Sequence, residues 1–218
     1  MLEIDPHATH MMPAHFGPRP QSPRATLWYR DVTSMSVAFL TDRDKLAAYL
    51  PGPFVVGEEP VVTLTYACNR QVDWLAGHGY NMIAVNANAV FEGDQDTCAG
   101  HYTLIIWENL ADPILTGREL QGIPKVYADI GDHSIIGGDW HACASHFGHK
   151  FLDIEVSGLR DPTPEELAVD KENRAGRENP MAWRFLPGIL GFGQSVSEAT
   201  TYSSENVIDQ AWVGEGRA

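Results

Sequence analysis

The sequence predicts a mainly β protein of the α+β class, built on a curved or closed, largely antiparallel sheet with a few helices packed outside it. About ten short runs are strand-like, some by alternation of apolar and polar residues and one, 101–107, by being nearly continuously apolar. Their separators are rich in turn-forming residues, and the 218 residues include 20 Gly and 14 Pro. Strands and helices do not alternate as they do in a parallel βαβ fold.

The strand-like runs are each bounded by residues that favour turns. In chain order they are 27–40 (one or two strands), 61–68, 80–91, 101–107, 134–136, 140–147, 151–157, 181–186, 194–202 and 207–213. Residues 69–79 carry exposed-looking aromatic side chains between two of these runs and predict a longer loop able to cover a pocket.

Two segments carry helix start signals. Asp42 is placed to cap a short helix within residues 41–50, which Pro51 would end. Thr163, Pro164 and Glu166 form a capping box, with a threonine N-cap, a proline at the first helical position and a glutamate at the third. Both helices are expected on the outside of the sheet.

Residues 1–25 hold five prolines and three histidines without an apolar period, which predicts an arm ahead of a single domain at 26–218. A net charge of −14 argues against nucleic acid as a partner. The three cysteines are widely spaced, and neither a secretory segment nor a membrane span is recognisable. A soluble cytoplasmic protein is expected.

A metal site is considered at the run from His141 to His149, which also contains His146. On a strand, His141 and His146 point to opposite faces, so structural or substrate-lining histidines are the preferred interpretation. Asp94 and Asp96 lack the rest of a calcium loop. The chain has no GxSxG nucleophile elbow, P-loop or GxGxxG fingerprint, so chemistry without metal or nucleotide is favoured, and no cofactor is expected.

Lys125 is the candidate nucleophile. It follows Pro124 and precedes the apolar run from Val126 to Ala128, which predicts a lysine at the start of a strand with buried flanks. Burial disfavours the charged form of an amine, and a neutral amine attacks carbonyl carbon. The alternative is a structural lysine whose ammonium group reaches water.

The stretch GRELQGIPK at 117–125 resembles the core signature of the acetoacetate decarboxylase-like superfamily. The resemblance extends from about residue 24 to the end of the chain, through TDRDKLAAYLPGPF, EEPVVTLTY and NPMAWRFLP. It implies a cone-like, largely antiparallel β fold, a homo-oligomer, and a Schiff base between Lys125 and a keto acid. Acetoacetate decarboxylase is itself a standard example of a lysine activated by desolvation or a neighbouring cation.

The chain departs from the decarboxylases at several positions that the resemblance makes important. The second lysine that follows the Schiff-base lysine in that family is Val126 here. The two pocket glutamates fall near Thr65 and Met82, neither of which ionises. Arg30 matches the arginine that faces the substrate carboxylate, and Gln121 resembles a glutamine of non-decarboxylase members. The resemblance therefore implies a Schiff-base enzyme that does not release carbon dioxide.

The predicted function is a lyase of the aldolase, dehydratase or hydratase type, acting on a small 2-oxo acid through a Lys125 iminium. Arg30 and Arg118 would hold the carboxylate, although Arg118 is equally placed for a structural pair with Glu119.

Gln121, Tyr80 and Tyr66 would position water or an aldehyde, and each also suits a core or turn position. A true acetoacetate decarboxylase, a non-catalytic small-ligand barrel and metal chemistry at the histidine run are the alternatives. The general base, the oxo acid and the number of subunits are left open.

Overall fold

The computed structural model describes residues 3–18, 27–168, 179–202 and 204–218, and thirteen strands occur within them. The strands are β1 (Tyr29–Leu40), β2 (Phe54–Val56), β3 (Val61–Val72), β4 (Tyr80–Glu92), β5 (Thr97–Glu108), β6 (Lys125–Tyr127), β7 (Asp129–Ile130), β8 (Ser134–Ile136), β9 (Asp139–His146), β10 (His149–Arg160), β11 (Pro180–Pro187), β12 (Gln194–Thr201) and β13 (Val213–Arg217).

The helices are short. They are α1 (Arg43–Ala47), α2 (Ala111–Thr116) and α3 (164–168), a π-helical turn at Gly117–Gln121, and 3₁₀ turns at Ala14–Phe16, Asp73–Leu75 and Ile189–Gly191. None of the helices in the described residues is long and apolar enough to cross a membrane.

The strands form two sheets that pair mostly antiparallel. The larger has the order β1-β3-β4-β5-β11-β12, with β2 added to β4 and β6 added to β5; the smaller has the order β13-β10-β9-β7, with β8 added to β9. Only β6 and β11 run parallel to their neighbour β5. The mainly β, largely antiparallel prediction is confirmed. Both orders are open over the described ranges, so a closed or cone-like form stays a prediction.

The main core lies between the two sheets. Tyr66 and Ile83 of the larger sheet and Ala144 and Ile154 of the smaller one are fully buried in it. Because side chains alternate along a strand, the residues between them point to the other face of the larger sheet. Burying each large apolar side chain contributes about 1.5–3 kcal/mol, so this core fixes which face of β3, β4 and β5 turns inward.

The other face of the larger sheet carries a smaller apolar cluster that holds β6 in place. Ala84 of β4 and Ile106 of β5 pack there against Ile123 and Ala182. Lys125 begins β6 and lies beside Ile106 in a parallel pairing. The predicted strand start at Lys125 is therefore confirmed, and its side chain belongs to the face that the smaller cluster covers.

Both predicted helix caps are confirmed. The Asp42 carboxylate accepts a hydrogen bond of 2.9 Å from the backbone N–H of Lys45 at the start of α1. At α3 the Glu166 N–H donates to the Thr163 hydroxyl at 3.2 Å, and the Thr163 N–H donates to the Glu166 carboxylate at 2.8 Å. The rest of the predicted helical segment, 169–177, lies outside the described residues.

Two element predictions are wrong. The run 207–213 is not a strand; it is irregular until β13 begins at Val213. The loop predicted at 69–79 is shorter, because β3 continues to Val72. No element is predicted for the segment before Lys125, which α2 and the π-helical turn occupy. Of the predicted arm, residues 19–25 lie outside the described ranges, while residues 3–18 include the 3₁₀ turn Ala14–Phe16.

Candidate active site

Lys125 is buried at the edge of the larger sheet. Its exposed fraction is 8%, which is rare for a lysine without a partner of opposite charge. Its backbone N–H donates to the Ile123 carbonyl at 2.8 Å, so the chain turns tightly around Pro124 before β6 begins. That turn directs the side chain under α2 instead of toward solvent.

The partner of the lysine is Glu108, the last residue of β5. Lys125 Nζ donates to Glu108 Oε1 at 2.7 Å and to the Pro113 carbonyl at 3.2 Å. Glu108 has no exposed surface. Burial raises the pKa of Glu108 above its ordinary value, and the Lys125 ammonium opposes that rise without cancelling it. The pair is therefore suited to exchanging a proton between amine and carboxylate.

The GRELQG segment builds the space that the lysine occupies. Gly117 lies where α2 passes into the π-helical turn, and a Cβ placed on it would come 2.5 Å from Lys125 Cε. Arg118 Nη1 donates to the Lys125 carbonyl at 2.9 Å. Gly122 ends the turn at φ +70, in the left-handed region that favours glycine. The motif thus holds the lysine by its backbone and leaves room for its side chain.

Two phenol groups lie near Glu108, and a third lies near both of them. Tyr80 and Tyr202 each interact electrostatically with Glu108, and Tyr29 interacts with both tyrosines. The Tyr29 and Tyr80 hydroxyls are 3.4 Å apart, and Trp74 Nε1 donates to the Tyr29 hydroxyl at 3.1 Å. Burial raises the pKa of Tyr202 to about 12 and raises that of Tyr80 further. These hydroxyls remain protonated donors at neutral pH.

One oxygen of the buried carboxylate is free. Glu108 Oε2 is inaccessible to solvent and has no hydrogen-bond partner in the described part of the protein. An unpaired buried carboxylate oxygen costs free energy, so a water molecule or a ligand hydroxyl is the natural partner for it. Lys125 is 8% exposed and Glu108 is not exposed at all, so the pair is enclosed by the surrounding protein.

The two arginines that are predicted to bind the substrate carboxylate already have hydrogen-bond partners in the protein. Arg30 donates to both carboxylate oxygens of Asp73, at 2.7 and 2.9 Å, and more than half of its side chain is exposed. Arg118 holds the Lys125 carbonyl instead of pairing with Glu119, and it lines a surface groove of about 280 Å³. A carboxylate-binding role for Arg30 or Arg118 therefore stays a prediction that requires an exchange of partners.

Tyr80 and Met82 lie beside the lysine pair, and Gln121 lies in the motif. Met82 is directly opposite Glu108 in the pairing of β4 with β5. Gln121 is half-buried at the end of the π-helical turn, and its backbone carbonyl accepts a hydrogen bond from the Thr200 hydroxyl. Their roles toward a substrate stay predictions.

Two residues that are predicted to lie near the substrate are not close to Lys125. Tyr66 pairs with Ile83, the neighbour of Met82, so it points into the core between the sheets. Its hydroxyl accepts from the His133 N–H at 2.9 Å. Thr65 shares the lysine's face but lies three strands away, about 14 Å at ordinary strand spacing. The Thr65 hydroxyl is 2.9 Å from that of Ser36.

The histidine run forms β9 and the turn after it. His141 Nδ1 is 3.8 Å from Glu155 Oε2. Over the ranges that the structure describes, no three His, Cys, Asp or Glu side chains are grouped closely enough to hold a metal ion.

Two residues of the site were missed from the sequence, Glu108 and Tyr202. A signal for Glu108 exists, because it directly follows the nearly continuous apolar run HYTLIIW, where a carboxylate is unusual. Tyr202 carries no such signal, since its approach to Glu108 depends on how β12 folds back over the sheet.

Comparisons with known proteins concern the sequence and the fold. A family model described as acetoacetate decarboxylase matches residues 11–218. The acetoacetate decarboxylase of Burkholderia cenocepacia is 24% identical over 195 residues, which cover 89% of this chain and 74% of that protein.

Two solved structures share the fold. The acetoacetate decarboxylase of Legionella pneumophila superposes with a TM-score of 0.74 at 18% identity, covering 92% of this chain and 76% of that chain. The enduracididine biosynthesis enzyme MppR, complexed with the condensation product of pyruvate and imidazole 4-carboxaldehyde, superposes with a TM-score of 0.61 at 16% identity, covering 85% and 73%.

Proposed function

Since this chain belongs to the acetoacetate decarboxylase family, we propose that it is a lyase in which Lys125 forms a Schiff base with a small 2-oxo acid. The observation that carries the proposal is the buried pair of Lys125 Nζ and Glu108 Oε1 at 2.7 Å. A lysine must be neutral to attack a carbonyl carbon, and a carboxylate with a raised pKa in hydrogen-bonding contact is a suitable acceptor for its proton.

The pair supplies each proton transfer of imine formation. Glu108 takes a proton from the Lys125 ammonium, and the neutral amine adds to the ketone of the oxo acid. Glu108 then returns the proton to the hydroxyl of the carbinolamine, which leaves as water. The resulting iminium withdraws electrons, so Glu108, again a carboxylate, can remove a proton from the adjacent carbon to give an enamine.

Carbon–carbon bond formation or water addition is favoured over decarboxylation. Val126 occupies the position of the second lysine and is partly exposed. In the described residues, Lys125 Nζ donates hydrogen bonds to a carboxylate and a carbonyl. The relative MppR is bound to a condensation product of pyruvate, which fits an aldolase-type reaction. Aldolase, dehydratase or hydratase activity is accordingly preferred.

The substrate carboxylate is assigned to the nearby arginines. Arg30 already donates hydrogen bonds to both carboxylate oxygens of Asp73 at the surface. Binding of the substrate there would replace the Asp73 carboxylate by the substrate carboxylate. Arg118 keeps nitrogen atoms beyond the one that holds the Lys125 carbonyl. A homo-oligomer and a cytoplasmic location remain expectations from the resemblance and from the sequence.

Trapping with borohydride tests the proposal. Incubation with pyruvate and borohydride is expected to give a reduced mass adduct confined to Lys125. Lys125→Ala should abolish the adduct, and Lys45→Ala, which removes an exposed lysine of α1, should leave it unchanged. No adduct with pyruvate or any other keto acid would point to a non-catalytic ligand-binding protein. Carbon dioxide release from acetoacetate would identify a true decarboxylase.

The pH dependence of trapping tests the role of Glu108. Its carboxylate form grows as pH rises through the raised pKa of this buried group, so the trapping rate of the wild type should rise in that range. Glu108→Gln keeps an acceptor for the lysine but cannot take its proton, and the rate should fall by about 10²–10⁴-fold and lose this rise. An unchanged rate and profile would exclude Glu108 as the proton acceptor.

A further inference from the structure

We infer that the Tyr202 hydroxyl donates a hydrogen bond to the carbonyl oxygen of a second substrate, an uncharged aldehyde, in the Lys125 reaction. The inference rests on the proposed function, because the aldehyde reacts with the enamine formed on Lys125. Tyr202 would then be a catalytic residue that acts after imine formation and takes no part in it.

Tyr202 lies on the face of the larger sheet that carries the lysine pair, and packing on its ring holds it there. It follows β12 directly and packs against the cluster that contains Ala84, Ile106 and Ala182. Its hydroxyl end interacts with Thr103, which is almost fully buried, and with Glu108. The apolar contacts on the ring leave the phenol oxygen directed toward the polar end of the site.

The free oxygen of Glu108 marks a place for an oxygen atom of a ligand. Glu108 Oε2 is buried and unpartnered in the described residues, while Oε1 holds Lys125. Tyr202 and Tyr80 lie close enough to Glu108 for its charge to raise the pKa of both phenols. A ligand oxygen placed among these groups would accept from a phenol and share a proton with the carboxyl group.

The hydrogen-bond donors near Glu108 favour an uncharged ligand over a charged one. The buried phenols stay protonated at neutral pH, so they donate hydrogen bonds without carrying charge. A carboxylate would be repelled by Glu108 whenever Glu108 is ionised. A neutral aldehyde oxygen is not repelled by Glu108. Its negative charge develops only in the transition state, where a fixed hydrogen-bond donor is most effective.

The carbon–carbon step needs only Lys125, Glu108, Tyr202 and the two substrates. The enamine carbon attacks the aldehyde carbon and one bond forms between them. The π electrons of the aldehyde move to its oxygen, which Tyr202 stabilises by its hydrogen bond. The proton that Glu108 removed when the enamine formed passes to that oxygen, so Glu108 is again a carboxylate and the product is a hydroxy iminium on Lys125.

The test compares Tyr202→Phe with Tyr102→Phe, a matched control that removes another buried tyrosine hydroxyl, in the cluster around Phe54. Pyruvate with benzaldehyde is the neutral pair, and pyruvate with 4-carboxybenzaldehyde is the charged one. Tyr202→Phe should retain borohydride trapping of pyruvate within about twofold while kcat for condensation falls by about 10²–10³-fold with little change in KM. Tyr102→Phe should retain both, and the wild type should prefer benzaldehyde.

The outcomes separate the two proposals. A wild type that traps no keto acid contradicts the Schiff-base function itself. A wild type that traps pyruvate but condenses it with no aldehyde overturns the inference about the second substrate. Equal condensation by wild type and Tyr202→Phe, or an equal loss of trapping and condensation in that variant, would overturn the assignment of Tyr202.

Discussion

Burying the ion pair of Lys125 and Glu108 costs free energy, and this cost helps to explain the role of the pair. Taking both charges out of water costs several kcal/mol per ion, and an apolar pair of similar volume would often be as stable. Removing one partner is worse, at about 3–5 kcal/mol, because it leaves the other charge uncompensated. The pair therefore contributes little net stability, which agrees with the proposed role of its 2.7 Å contact in proton exchange.

Gly117 determines where the lysine side chain can lie. A Cβ at this position would come 2.5 Å from Lys125 Cε and 3.0 Å from Nζ. Gly117→Ala should therefore displace the amine and slow borohydride trapping of pyruvate by about tenfold or more, since small misplacements of reacting groups cost that much. Alanine favours a helix over glycine by about 1 kcal/mol, so a weakened helix would not explain the loss.

Gly131→Ala is the matched control for that variant. A Cβ on Gly131 meets nothing within 4 Å, and the residue is exposed. Its trapping rate should equal that of the wild type. Equal rates for Gly117→Ala and the wild type would show that the lysine side chain does not need this space.

At the residue scale the sequence reveals the candidate nucleophile better than its surroundings. Lys125 is recognisable because a short motif encodes its turn and its strand start. Arg30 matches a family position, yet its actual partner Asp73 is 43 residues away and cannot be read from spacing. Tyr66 was placed near a substrate, although the face to which a strand residue points depends on register.

The segment from α2 to β6 is the element that organises the site. Its α-helix widens into a π-helical turn just before Lys125, and such turns are frequent at functional sites. The turn must end abruptly, because β6 begins only three residues after Gly122. Gly122 allows this by adopting φ +70 directly against the backbone of Arg184.

Gly122→Ala should destabilise the protein more than a positive φ alone would. A Cβ there would lie 2.3 Å from Arg184 Cα, so β11 must move away from the motif. Gly148→Ala is the control, since Gly148 has φ +76 but a Cβ on it meets nothing within 4 Å. In both variants an alanine at positive φ lowers the free energy of unfolding by about 1–2 kcal/mol. Urea denaturation should show a larger decrease for Gly122→Ala. Equal losses would mean that the contact with Arg184 relaxes freely.

Elements with a strong local pattern were predictable, and those that depend on context were not. The cap residues Asp42 and Thr163, the alternation of β3 and β4 and the apolar run of β5 are local signals, and each is confirmed. The run 207–213 alternates like a strand but pairs with nothing, because β13 joins β10 only from Val213 onward. A π-helical turn carries no period that a search for α or β patterns detects.

At the scale of the whole molecule, two sheets are joined by an apolar core and by a polar bridge at one end of it. Asn81 of β4 donates to the Ile130 carbonyl of β7 at 3.1 Å and to Asp132 at 2.9 Å. Its amide oxygen accepts from Arg70 of β3 at 3.1 Å, and Arg70 also pairs with Asp132. The Asn81 side chain and Arg70 together hold down the Asp132 pKa. No sequence pattern predicts this bridge, since its members are up to 62 residues apart.

Asn81→Asp should weaken this bridge in a pH-dependent way. At neutral pH the new carboxylate would face the Ile130 carbonyl and the ionised Asp132. The two hydrogen bonds that Asn81 donates would therefore be replaced by repulsions. Each lost buried hydrogen bond costs about 1–3 kcal/mol. As pH falls toward about 4 the new carboxyl group takes up a proton and can donate again, so the deficit in the free energy of unfolding against the wild type should shrink. Asn88→Asp, which alters a single exposed hydrogen bond to Glu59, should cost little at either pH. Urea denaturation of the three proteins at pH 7 and near pH 4 measures this, and a deficit that does not change with pH would mean that Asn81 only fills space between the sheets.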